Sequence, residues 1–506
     1  MSSETTKIPG SNPSGGDLRL SNASLGRLPA QIRRPGYDRS RITPGIVHLG
    51  IGAFHRAHQA VVIDDLIASG ATDWGIVGAS LRNSDTRDAL APQDFLYTVA
   101  VRSGAGTDHR IIGSVLDVEA AKENSTHLIA RMTNPATRIV SLTVTEKGYC
   151  HTPQTGDLDQ HHPDIVHDLR NPGVPRSVPG ILVAALTRRR NSGTAPFTVL
   201  CCDNLSANGH TVGRIVAQFA ALRSRGLAKW IEAEVAFPST MVDRIVPETT
   251  DLDRAEVSSA LGMIDAWPIN TEPFTQWVVE DRFPAGRPDF AAVGVQMVSD
   301  VAPFEHMKLR LLNASHSALA YLGYLAGHET IAATMTDRRF AAFARQVMQD
   351  AAPTLAMPDG TDLTGYSASL LQRFSNPALH HRTWQIAMDG SQKLPQRLLG
   401  TMQDRLRLGL PIDTHALAVA GWMRYVTAKD ERGRAIDVRD PLAPKLAAIA
   451  EAAGPVAERL APALLEVGSI FGALGTDPRM RSAVTEALAK LYALGARQAV
   501  QTFRPV

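Results

Sequence analysis

The sequence predicts a two-part protein, an α/β domain built on a parallel sheet followed by a mainly α-helical domain. The chain has 506 residues, more than the ~100–200 that one domain usually takes. In its first half, short apolar runs rich in β-formers alternate with helical patterns, as they do in βαβ units. From about Val301 the apolar residues recur at helical spacing and few strand patterns remain. The boundary between the two parts is therefore expected near residues 290–300.

The elements of the α/β half can be predicted in chain order. Strands are predicted at residues 46–49, 74–80, 138–145 and 197–202. A helix is predicted at residues 57–69, where Gly70 would end it. The stretch 156–180 contains four prolines and many polar residues, and we expect it to run over the surface.

The helical half is predicted from four segments with apolar residues at helical spacing. They read FEHMKLRLLNASHSALAYLGYLAG, RRFAAFARQVMQDAA, THALAVAGWMRYVTA and RSAVTEALAKLYALGARQAV. The first 22 residues are rich in Ser, Gly and Pro and lack the apolar segment of a signal peptide, so we expect a disordered tail there. We divide the chain into a tail and leader at 1–40, the α/β domain at 41–295 and the helical domain at 296–506.

Charge and composition narrow the class of function. The chain carries 52 Lys and Arg against 50 Asp and Glu, a net charge of +2, whereas binding to nucleic acid or an anionic membrane calls for clustered positive charge. No apolar run in the sequence approaches the ~20 residues that span a bilayer. Cys150, Cys201 and Cys202 form neither a C-x-x-C motif nor a metal-ligand spacing, which suits a reducing cytoplasm. We expect a small-molecule partner, without nucleic acid or membrane, and leave the oligomeric state open.

The segment IVHLGIGAFHRAH, residues 46–58, begins as a nucleotide-binding turn does. Gly50 and Gly52 match the first two glycines of the G-x-G-x-x-G fingerprint, and the start of a helix there can hold a pyrophosphate. His55 stands in the third position, so a dinucleotide site and an ordinary glycine-rich turn both fit. Asp85, in ASLRNSD after the second strand, is a candidate for a ribose 2′-hydroxyl and would favour NADH over NADPH. A loop cap is its alternative role.

A dehydrogenase acting on an alcohol needs a group that takes the hydroxyl proton while hydride leaves, and donors that stabilise the oxygen. A zinc enzyme would need Cys and His at ligand spacings that this chain lacks. The runs HRAH (His55, His58) and HHPDIVH (161–167) resemble metal sites in composition alone, so no metal is expected. Tyr425-x-x-x-Lys429 matches the short-chain dehydrogenase pattern, but it lies deep in the helical half and is interpreted as packing.

After a zinc ion and the Tyr-x-x-x-Lys pair, the third group that could take the hydroxyl proton is a lysine. In the helix predicted after residue 304, Asn313 and His316 lie about 140° and 80° around the axis from Lys308, so the three share one side. Such a triplet is either a solvated helix face or a catalytic set. In a catalytic set, Lys308 would act as acid and base, Asn313 as oxyanion donor and His316 as orienting group or second donor.

Six motifs together resemble one family. They are IVHLGIGAFHRAH, SLTVTEKGY, FTVLCCDNLSANG, FPSTMVDRIVP, EPFTQWVVEDRF and KLRLLNASHS. In this order they resemble the polyol-specific long-chain dehydrogenases, the mannitol dehydrogenase family, from about residue 40 to near the C-terminus. The resemblance implies a Rossmann-type N-terminal domain, a mainly helical C-terminal domain, a cleft between them, NAD(H) and no metal.

The resemblance also implies roles for particular residues. The family's turn reads G-x-G-x-F-H-R-A-H, so His55 is expected there. The implied cofactor-binding residues are Gly50, Ile51, Gly52, Ala53, Phe54, His55, Arg56 and Ala57, with Asp85 at the ribose. The implied catalytic residues are Lys308, Asn313, His316, Asn204 and Asp243. Asn204 matches a second oxyanion asparagine, and Asp243 matches an acid that helps to relay the proton. An ion pair between Asp243 and Arg244 is the other interpretation.

The expected substrate follows from a further resemblance and from charge. The stretch SNPALHHRTWQIAMDGSQKLPQR, residues 375–397, closely resembles the fructuronate reductases. Mannitol enzymes usually have Gly in place of Lys147 and Arg in place of Gln385. A uronate carries a carboxylate, which needs cations once it is desolvated. The residues predicted to bind it are Lys147, His381, Arg382, Lys393 and Arg397. We therefore expect NAD-dependent interconversion of D-fructuronate and D-mannonate.

Two other functions remain open. The leader LSNASLGRLPAQIRRPGYD is more like that of the mannitol enzymes, so mannitol 2-dehydrogenase, which acts on D-mannitol and D-fructose, is the main alternative. The second alternative is an inactive regulator that binds NADH. The complete set of catalytic residues argues against a regulator, because a decayed site would have lost at least one of them.

Overall fold

The computed structural model of the chain describes residues 18–152 and 155–503. Of the predicted disordered tail, residues 1–17 lie outside the described part. The prediction is wrong for residues 18–22, because Leu20 is fully buried and its N–H donates to Ile264 O at 2.9 Å. Leu28 and Ile32 join the same small apolar core. The leader therefore packs as part of the α/β half.

The described chain contains eleven strands. They are β1 Pro44–Leu49, β2 Gly75–Ser80, β3 Tyr97–Ser103, β4 Gly106–Ile112, β5 Val115–Ala120, β6 Ile139–Leu142, β7 Thr198–Cys201, β8 Thr240–Asp243, β9 Ile269–Thr271, β10 Gln276–Glu280 and β11 Gln296–Val298. The helices among them are α1 Ala53–Ala57, α2 Gln59–Ala68, α3 Asp85–Leu90, α4 Ser125–Thr133, α5 Pro163–Arg170, α6 Val178–Ser192, α7 Asn208–Arg223, α8 Arg225–Glu234 and α9 Asp251–Leu261.

The remaining helices follow the last strand. They are α10 Ala302–Met307, α11 Ala314–Leu325, α12 Ile331–Met335, α13 Arg338–Ala351, α14 Leu363–Phe374, α15 Thr383–Ala387, α16 Gly390–Leu394, α17 Gly400–Arg407, α18 Asp413–Tyr425, α19 Ala443–Ala453, α20 Ala457–Leu465, α21 Gly468–Phe471 and α22 Pro478–Thr502. Two π-helical segments, Lys308–Asn313 and Pro395–Leu399, interrupt this half.

Five parallel strands form the central sheet, in the order β5-β2-β1-β6-β7. Successive side chains of a strand point to opposite faces. In β1, Val47 and Leu49 pack with α4, α6 and α7, whereas Ile46 packs with α2 on the other face. Burial on both faces explains why the strands read as continuous apolar runs. The domain is doubly wound and Rossmann-like, as predicted, and two three-stranded sheets, β11-β10-β8 and β4-β3-β9, lie beside it.

Two local predictions differ from the structure. The helix predicted at 57–69 starts earlier and is split, because His58 (φ −125°, ψ −85°) leaves the helical region between α1 and α2. The stretch 156–180 is not a simple surface excursion, since it contains α5. The buried carboxylate of Asp168 in α5 accepts the N–H of Ser177 at 2.8 Å. This bond ties the stretch to the start of α6.

The helical half packs around α11 and α18, whose residues are almost all buried. Tyr425 of the short-chain-like motif lies in this core and is 1% exposed. Met241 of β8 and Val278 of β10 belong to the same core, so apolar contacts connect the helices to the α/β half. Among the described helices, none is both long and apolar enough to cross a membrane.

Candidate active site

A cleft of about 970 Å³ opens at the carboxyl ends of the central strands, beside the turn between β1 and α1. Gly50 has a φ of +91°, and a Cβ there would lie 2.1 Å from Thr143 O, so glycine is needed where these two strand ends approach. A Cβ at Gly52 would meet nothing closer than Gly50 O at 3.8 Å, because this position faces the cleft. Open sheets of this class bind ligands at this edge, and a bare backbone lets a pyrophosphate come close.

The third position of the turn is filled by an aromatic stack. The ring of His55 lies on the ring of His48 in β1, with 3.4 Å between centroids, and burial lowers the pKa of His55 well below its usual value. Arg56 is also buried, and its Nη1 donates to Trp267 O at 2.7 Å. Of the predicted cofactor-binding residues, the cleft is lined by Gly50, Ile51 and Gly52, whereas α1 is formed by Ala53, Phe54, His55, Arg56 and Ala57, outside that lining.

Asp85 lies at the rim of the cleft, between the lining residues Asn83 and Thr86. Asp85 is exposed at the start of α3, and its carboxylate accepts a hydrogen bond from Nδ2 of Asn83 at 2.6 Å. The lining at the ends of β2 and β5 includes Arg82, Asn83, Thr86 and Lys122.

Lys308 reaches from the helical half to the carboxyl ends of strands in the other half. Its Nζ donates to Oδ1 of Asn204, after β7, and to Val242 O in β8, each at 2.6 Å. The side chain is buried, and desolvation lowers the pKa of Lys308 from 10.5 to about 8, while the charge of Asp243 acts in the opposite direction. A lysine with such a pKa can both accept and release a proton near neutral pH.

The backbone that carries Lys308 is π-helical. Pairing from i to i+5 places Asn313 about one turn along from Lys308, closer than the ~140° rotation expected of an α-helix. The second π-helical segment contacts the first and carries Arg397. Single wide turns of this kind are frequent at functional sites. Here they bring side chains from two distant segments to one place.

Asp243 is held by an arginine from α14. Its two oxygens accept hydrogen bonds from the guanidinium of Arg373 at 2.7 and 2.8 Å, and the same guanidinium donates to both oxygens of Glu272 at 2.7 and 2.9 Å. All three residues are buried. Arg244 points away to backbone carbonyl oxygens, so the alternative pair of Asp243 with Arg244 is not formed. This buried triad fixes the end of β8, which provides an acceptor for Lys308.

His316 is buried in α11, next to two other rings. Its ring stacks on Phe374, with centroids 5.0 Å apart, and meets the ring of His381 edge-on at 4.6 Å. Burial and the surrounding cations lower the pKa of His316 well below its usual range. Its Nε2 is buried without a hydrogen-bond partner among the described residues. Buried polar atoms are rarely left unpaired, so this nitrogen has a hydrogen-bonding capacity that the described residues do not use.

Three of the five predicted carboxylate-binding residues surround His316, namely His381, Lys393 and Arg397. Lys393 Nζ donates to two backbone carbonyl oxygens at 2.5 and 3.3 Å, and Arg397 donates to Oγ of Ser317 at 3.0 Å. Within residues 18–152 and 155–503, neither Lys393 nor Arg397 forms an ion pair with an acid. Desolvation lowers the pKa of both, that of Lys393 to about 8.

The other two predicted cations lie elsewhere. The side chain of Arg382 is 66% exposed, and its contact with Glu329 is 4.0 Å long, because the chain turns outward just before α15. Lys147 is exposed in the turn after β6 and lines the cleft beside the glycine turn. The structure therefore brings three of the five predicted residues together, the cations Lys393 and Arg397 with the imidazole of His381, whose pKa burial lowers to about 4, and separates Arg382 from them.

In the described residues, one group of side chains lies close enough together to bind a metal ion. The ligand atoms of Cys150, His162 and Asp164 lie within 4.8 Å of one another. Nδ1 of His162 accepts the N–H of Asp164 at the start of α5, so this nitrogen already caps a helix. His55 and His58 of the HRAH run are buried beside the glycine turn instead.

A doubly wound domain with an open glycine turn, and a buried lysine bound to an asparagine at the end of β7, are the features of a dinucleotide-dependent dehydrogenase. Comparison with known proteins gives the family. The model described as the mannitol dehydrogenase Rossmann domain matches residues 44–292, and that of the mannitol dehydrogenase C-terminal domain matches residues 300–492. The chain belongs to the mannitol dehydrogenase family.

The proteins similar to this chain are named for different substrates. The D-mannonate oxidoreductase of Escherichia coli is 49% identical over 476 residues, covering 93% of this chain and 97% of that protein. The mannitol 2-dehydrogenase of Pyricularia oryzae is 41% identical over 485 residues, covering 93% and 96%. The structure of Pseudomonas fluorescens mannitol 2-dehydrogenase with NAD and D-mannitol is 39% identical, with a TM-score of 0.87 and coverage of 96% and 99%.

Three residues of the site are not evident from the sequence. Arg373 lies 130 residues after Asp243, and no local pattern links the two. Glu305 shares a cavity of about 20 Å³ with Lys308, and burial raises the pKa of this carboxyl. Its position three residues before Lys308 on a helix is a signal that could have found it. Arg82 lines the cleft and belongs to the same ASLRNSD segment as Asp85. The pattern for a ribose-binding residue selects the acid and not the arginine.

Proposed function

We propose that this protein interconverts D-fructuronate and D-mannonate with NAD. The observation that carries the proposal is the pair Lys393 and Arg397, two desolvated cations beside His316 that form no direct ion pair in the described residues, although the charge of Glu146 acts on both from a distance. A desolvated charge without a counter-ion is costly, and a substrate carboxylate would supply that counter-ion. The 49% identity to the D-mannonate oxidoreductase of Escherichia coli supports the same substrate.

The charges on the other side of the pocket already have partners. Arg373 lies between Asp243 and Glu272, and the charge of Asp243 also acts on Lys308. A neutral hexose or hexitol would leave Lys393 and Arg397 without a direct ionic partner, with only the more distant charge of Glu146 acting on both. A uronate would pair with them through charge-assisted hydrogen bonds, which are stronger than neutral ones.

The catalytic residues have distinct roles in this proposal. Bound NAD supplies the acceptor of hydride in oxidation and, once reduced, its donor. Lys308 takes the proton of the substrate hydroxyl in oxidation and returns it in reduction. Asn204 accepts from Lys308 through Oδ1, which leaves its NH₂ group, with that of Asn313, to donate to the oxygen as negative charge develops. Nε2 of His316 orients the same oxygen, and Asp243 favours the protonated form of Lys308 through its charge.

Mannitol 2-dehydrogenase activity is the second candidate. The similarity to the Pseudomonas fluorescens enzyme, whose structure contains NAD and D-mannitol, supports it. For the compartment, the three free and buried cysteines support the cytoplasm.

Kinetics with both ketones test the proposal. We expect kcat/KM with NADH to be far higher for D-fructuronate than for D-fructose. Arg397→Met should lower the fructuronate value about ten- to a hundredfold, the size of a lost charge-assisted pair, and should change the fructose value little. Arg382→Met is the matched control, since this arginine is 66% exposed, and should change neither value.

Two outcomes would contradict this assignment. Equal or better wild-type activity on D-fructose would leave mannitol 2-dehydrogenase in its place. If the Arg397→Met variant kept the wild-type ratio of kcat/KM for D-fructuronate over D-fructose, Arg397 would not bind the carboxylate.

A further inference from the structure

The segment that carries Asn204 lies outside the regular elements of the α/β half. Asn204 follows the end of β7, precedes α7 and is exposed. Its Oδ1 is one of two acceptors for Nζ of Lys308, and the other is Val242 O. Val242 is fixed within β8, where it pairs with Trp277 of β10. Asn204 lies beyond the end of its strand, so its position depends on the contacts of the residues beside it.

Asp203, the residue before Asn204, binds the turn that follows β6. Its Oδ1 accepts the N–H of Thr145 at 3.0 Å, and its Oδ2 accepts the N–H of Val144 at 2.9 Å. Oδ2 also accepts the hydroxyl of Tyr149 at 2.6 Å. Hydrogen bonds to a carboxylate are roughly twice as strong as neutral ones. Three such bonds therefore fix Asp203 to the neighbouring strand end.

Two features of this turn show that its shape is imposed by its surroundings. Thr145 has φ +66° and ψ +160°, a conformation that is unfavourable for a β-branched residue and persists only where neighbouring groups hold it. Tyr149 is buried in the apolar core on one face of the central sheet. Burial raises the pKa of Tyr149 well above its usual value, so its hydroxyl remains a donor. The turn thus presents donors at defined positions, and Asp203 accepts all three.

The backbone of Asp203 is fixed to β8 as well. Its carbonyl oxygen accepts from Nδ2 of Asn208 at 3.0 Å, and the same amide donates to Thr240 O at 2.9 Å. Oδ1 of Asn208 accepts the N–H of Thr240 at 2.9 Å. Thr240 begins β8, the strand that contains Val242. The two segments that provide acceptors for Lys308 are therefore joined through Asp203, Asn208 and Thr240.

We propose that Asp203 is a positioning residue, which fixes Asn204 where its Oδ1 accepts from Lys308 and its NH₂ group can reach the substrate oxygen. Asp203 acts through the bonds of its carboxylate to the turn after β6 and has no contact with substrate or cofactor in this scheme. The inference rests on the roles of Lys308 and Asn204 in the proposed function. It does not depend on which sugar is reduced.

A double-mutant cycle of Asp203→Asn and Asn204→Ala tests whether one residue acts through the other. Asparagine keeps the shape of the side chain, but its single acceptor oxygen can serve the N–H of Val144 or that of Thr145 and not both. Asp203→Asn should lower the plateau kcat of reduction about ten- to a hundredfold, the order of a small misplacement at a reacting centre. Asn204→Ala should lower it about 10²–10³-fold. The double variant should equal Asn204→Ala, because a residue that has been removed can no longer be misplaced.

The pH profile gives a readout that a loss of stability alone would not move. The hydrogen bond to Asn204 favours the ammonium form of Lys308, so its weakening should shift the midpoints of both pH profiles below about 8 in Asp203→Asn. Asp265→Asn is the matched control. Asp265 is buried and likewise accepts two backbone N–H groups and one side-chain donor, those of Thr98, Trp267 and Gln93. This control should lower the melting temperature but leave the plateau kcat and the midpoints unchanged.

Tyr149→Phe covers the case in which Asp203→Asn does not fold, since it removes one bond and leaves both backbone N–H groups paired. Its smaller loss of kcat, about three- to tenfold, should likewise disappear in the Asn204→Ala background. All rates are measured with whichever ketone the wild type reduces faster, D-fructuronate or D-fructose, so a wrong sugar contradicts the proposed function alone. Losses that multiply in the double variants would overturn the proposal. So would a wild-type kcat and midpoint in a folded Asp203→Asn variant.

Discussion

Replacing Lys308 with methionine should abolish most turnover while leaving dinucleotide binding intact. The side chain bridges Asn204 and Val242 O and is not part of the cleft lining around the glycine turn. Its loss therefore acts on proton transfer, which is typically worth 10²–10⁴-fold in rate. Methionine keeps the length and much of the volume of the side chain, so the buried site should keep its packing.

The structure also sets the pH at which Lys308 acts. Desolvation lowers its pKa from 10.5 to about 8, which raises the neutral fraction at pH 7 by roughly 300-fold over an exposed lysine. Oxidation requires the neutral amine, so the rate should rise with pH and level off above about 8. Reduction requires the ammonium form, so that rate should be constant at lower pH and fall above about 8.

Initial rates of oxidation and of reduction between pH 6 and 10 would measure this pH dependence. Fluorescence titration would measure the affinity for NADH. In Lys308→Met the remaining oxidation rate should no longer rise with pH, and the remaining reduction rate should no longer fall above about pH 8. The affinity for NADH should stay close to the wild-type value. Lys445→Met is a matched control, because Lys445 is exposed on α19, and its profile should equal that of the wild type. An unchanged kcat in Lys308→Met, or limbs that persist in it, would refute the reasoning.

The other predictions concern stability and the glycine turn. Arg373→Met should lower the free energy of unfolding by about 3–5 kcal/mol, because it leaves the buried carboxylates of Asp243 and Glu272 unpaired; denaturant unfolding would measure this, and a loss below 1 kcal/mol would contradict the triad. Gly50→Ala should destabilise the fold by about 1–3 kcal/mol and impair NADH binding, since its Cβ would lie 2.1 Å from Thr143 O at a φ of +91°. Gly52→Ala should weaken NADH binding with little loss of stability, since its Cβ would fill open cleft, and equal effects of both variants on thermal unfolding would contradict this difference.

The sequence predicts best what depends on neighbouring residues. The apolar run before Gly50 and the helix after it define a strand, a turn and a helix within one segment, and the structure confirms this arrangement. The parallel sheet and the helical C-terminal half follow from the period of apolar residues along each segment, and both are confirmed. At the level of single residues the signal is weaker: the assignment of Asp85 to the ribose stays a prediction, because the loop conformation after β2 decides which side chain faces the cleft.

Contacts between residues far apart in the chain could not be predicted from the sequence. The motif around Asp243 offers Arg244 as its partner, whereas the folded chain supplies Arg373 from α14. The π-helical backbone at Lys308 carries no signal in the pattern, and it changes how Asn313 lies relative to the lysine. Arg382 and Arg397 are equally good candidates for a carboxylate by charge. Burial separates them, and burial is a property of tertiary packing.

In the proposed reaction, the cations around His316 and the proton on Lys308 are coupled. Arg397 is among the groups that lower the pKa of Lys308, and Arg373 acts in the same direction. A substrate carboxylate bound at Arg397 would offset that part of the field, because opposite charges at one place cancel at a distance. The pKa of Lys308 would then rise when a uronate binds, which favours the ammonium form that reduction requires. A neutral ketose would leave the field of Arg397 unchanged. The same arginine therefore favours the uronate twice in this scheme, through direct pairing and through the protonation state of the catalytic lysine.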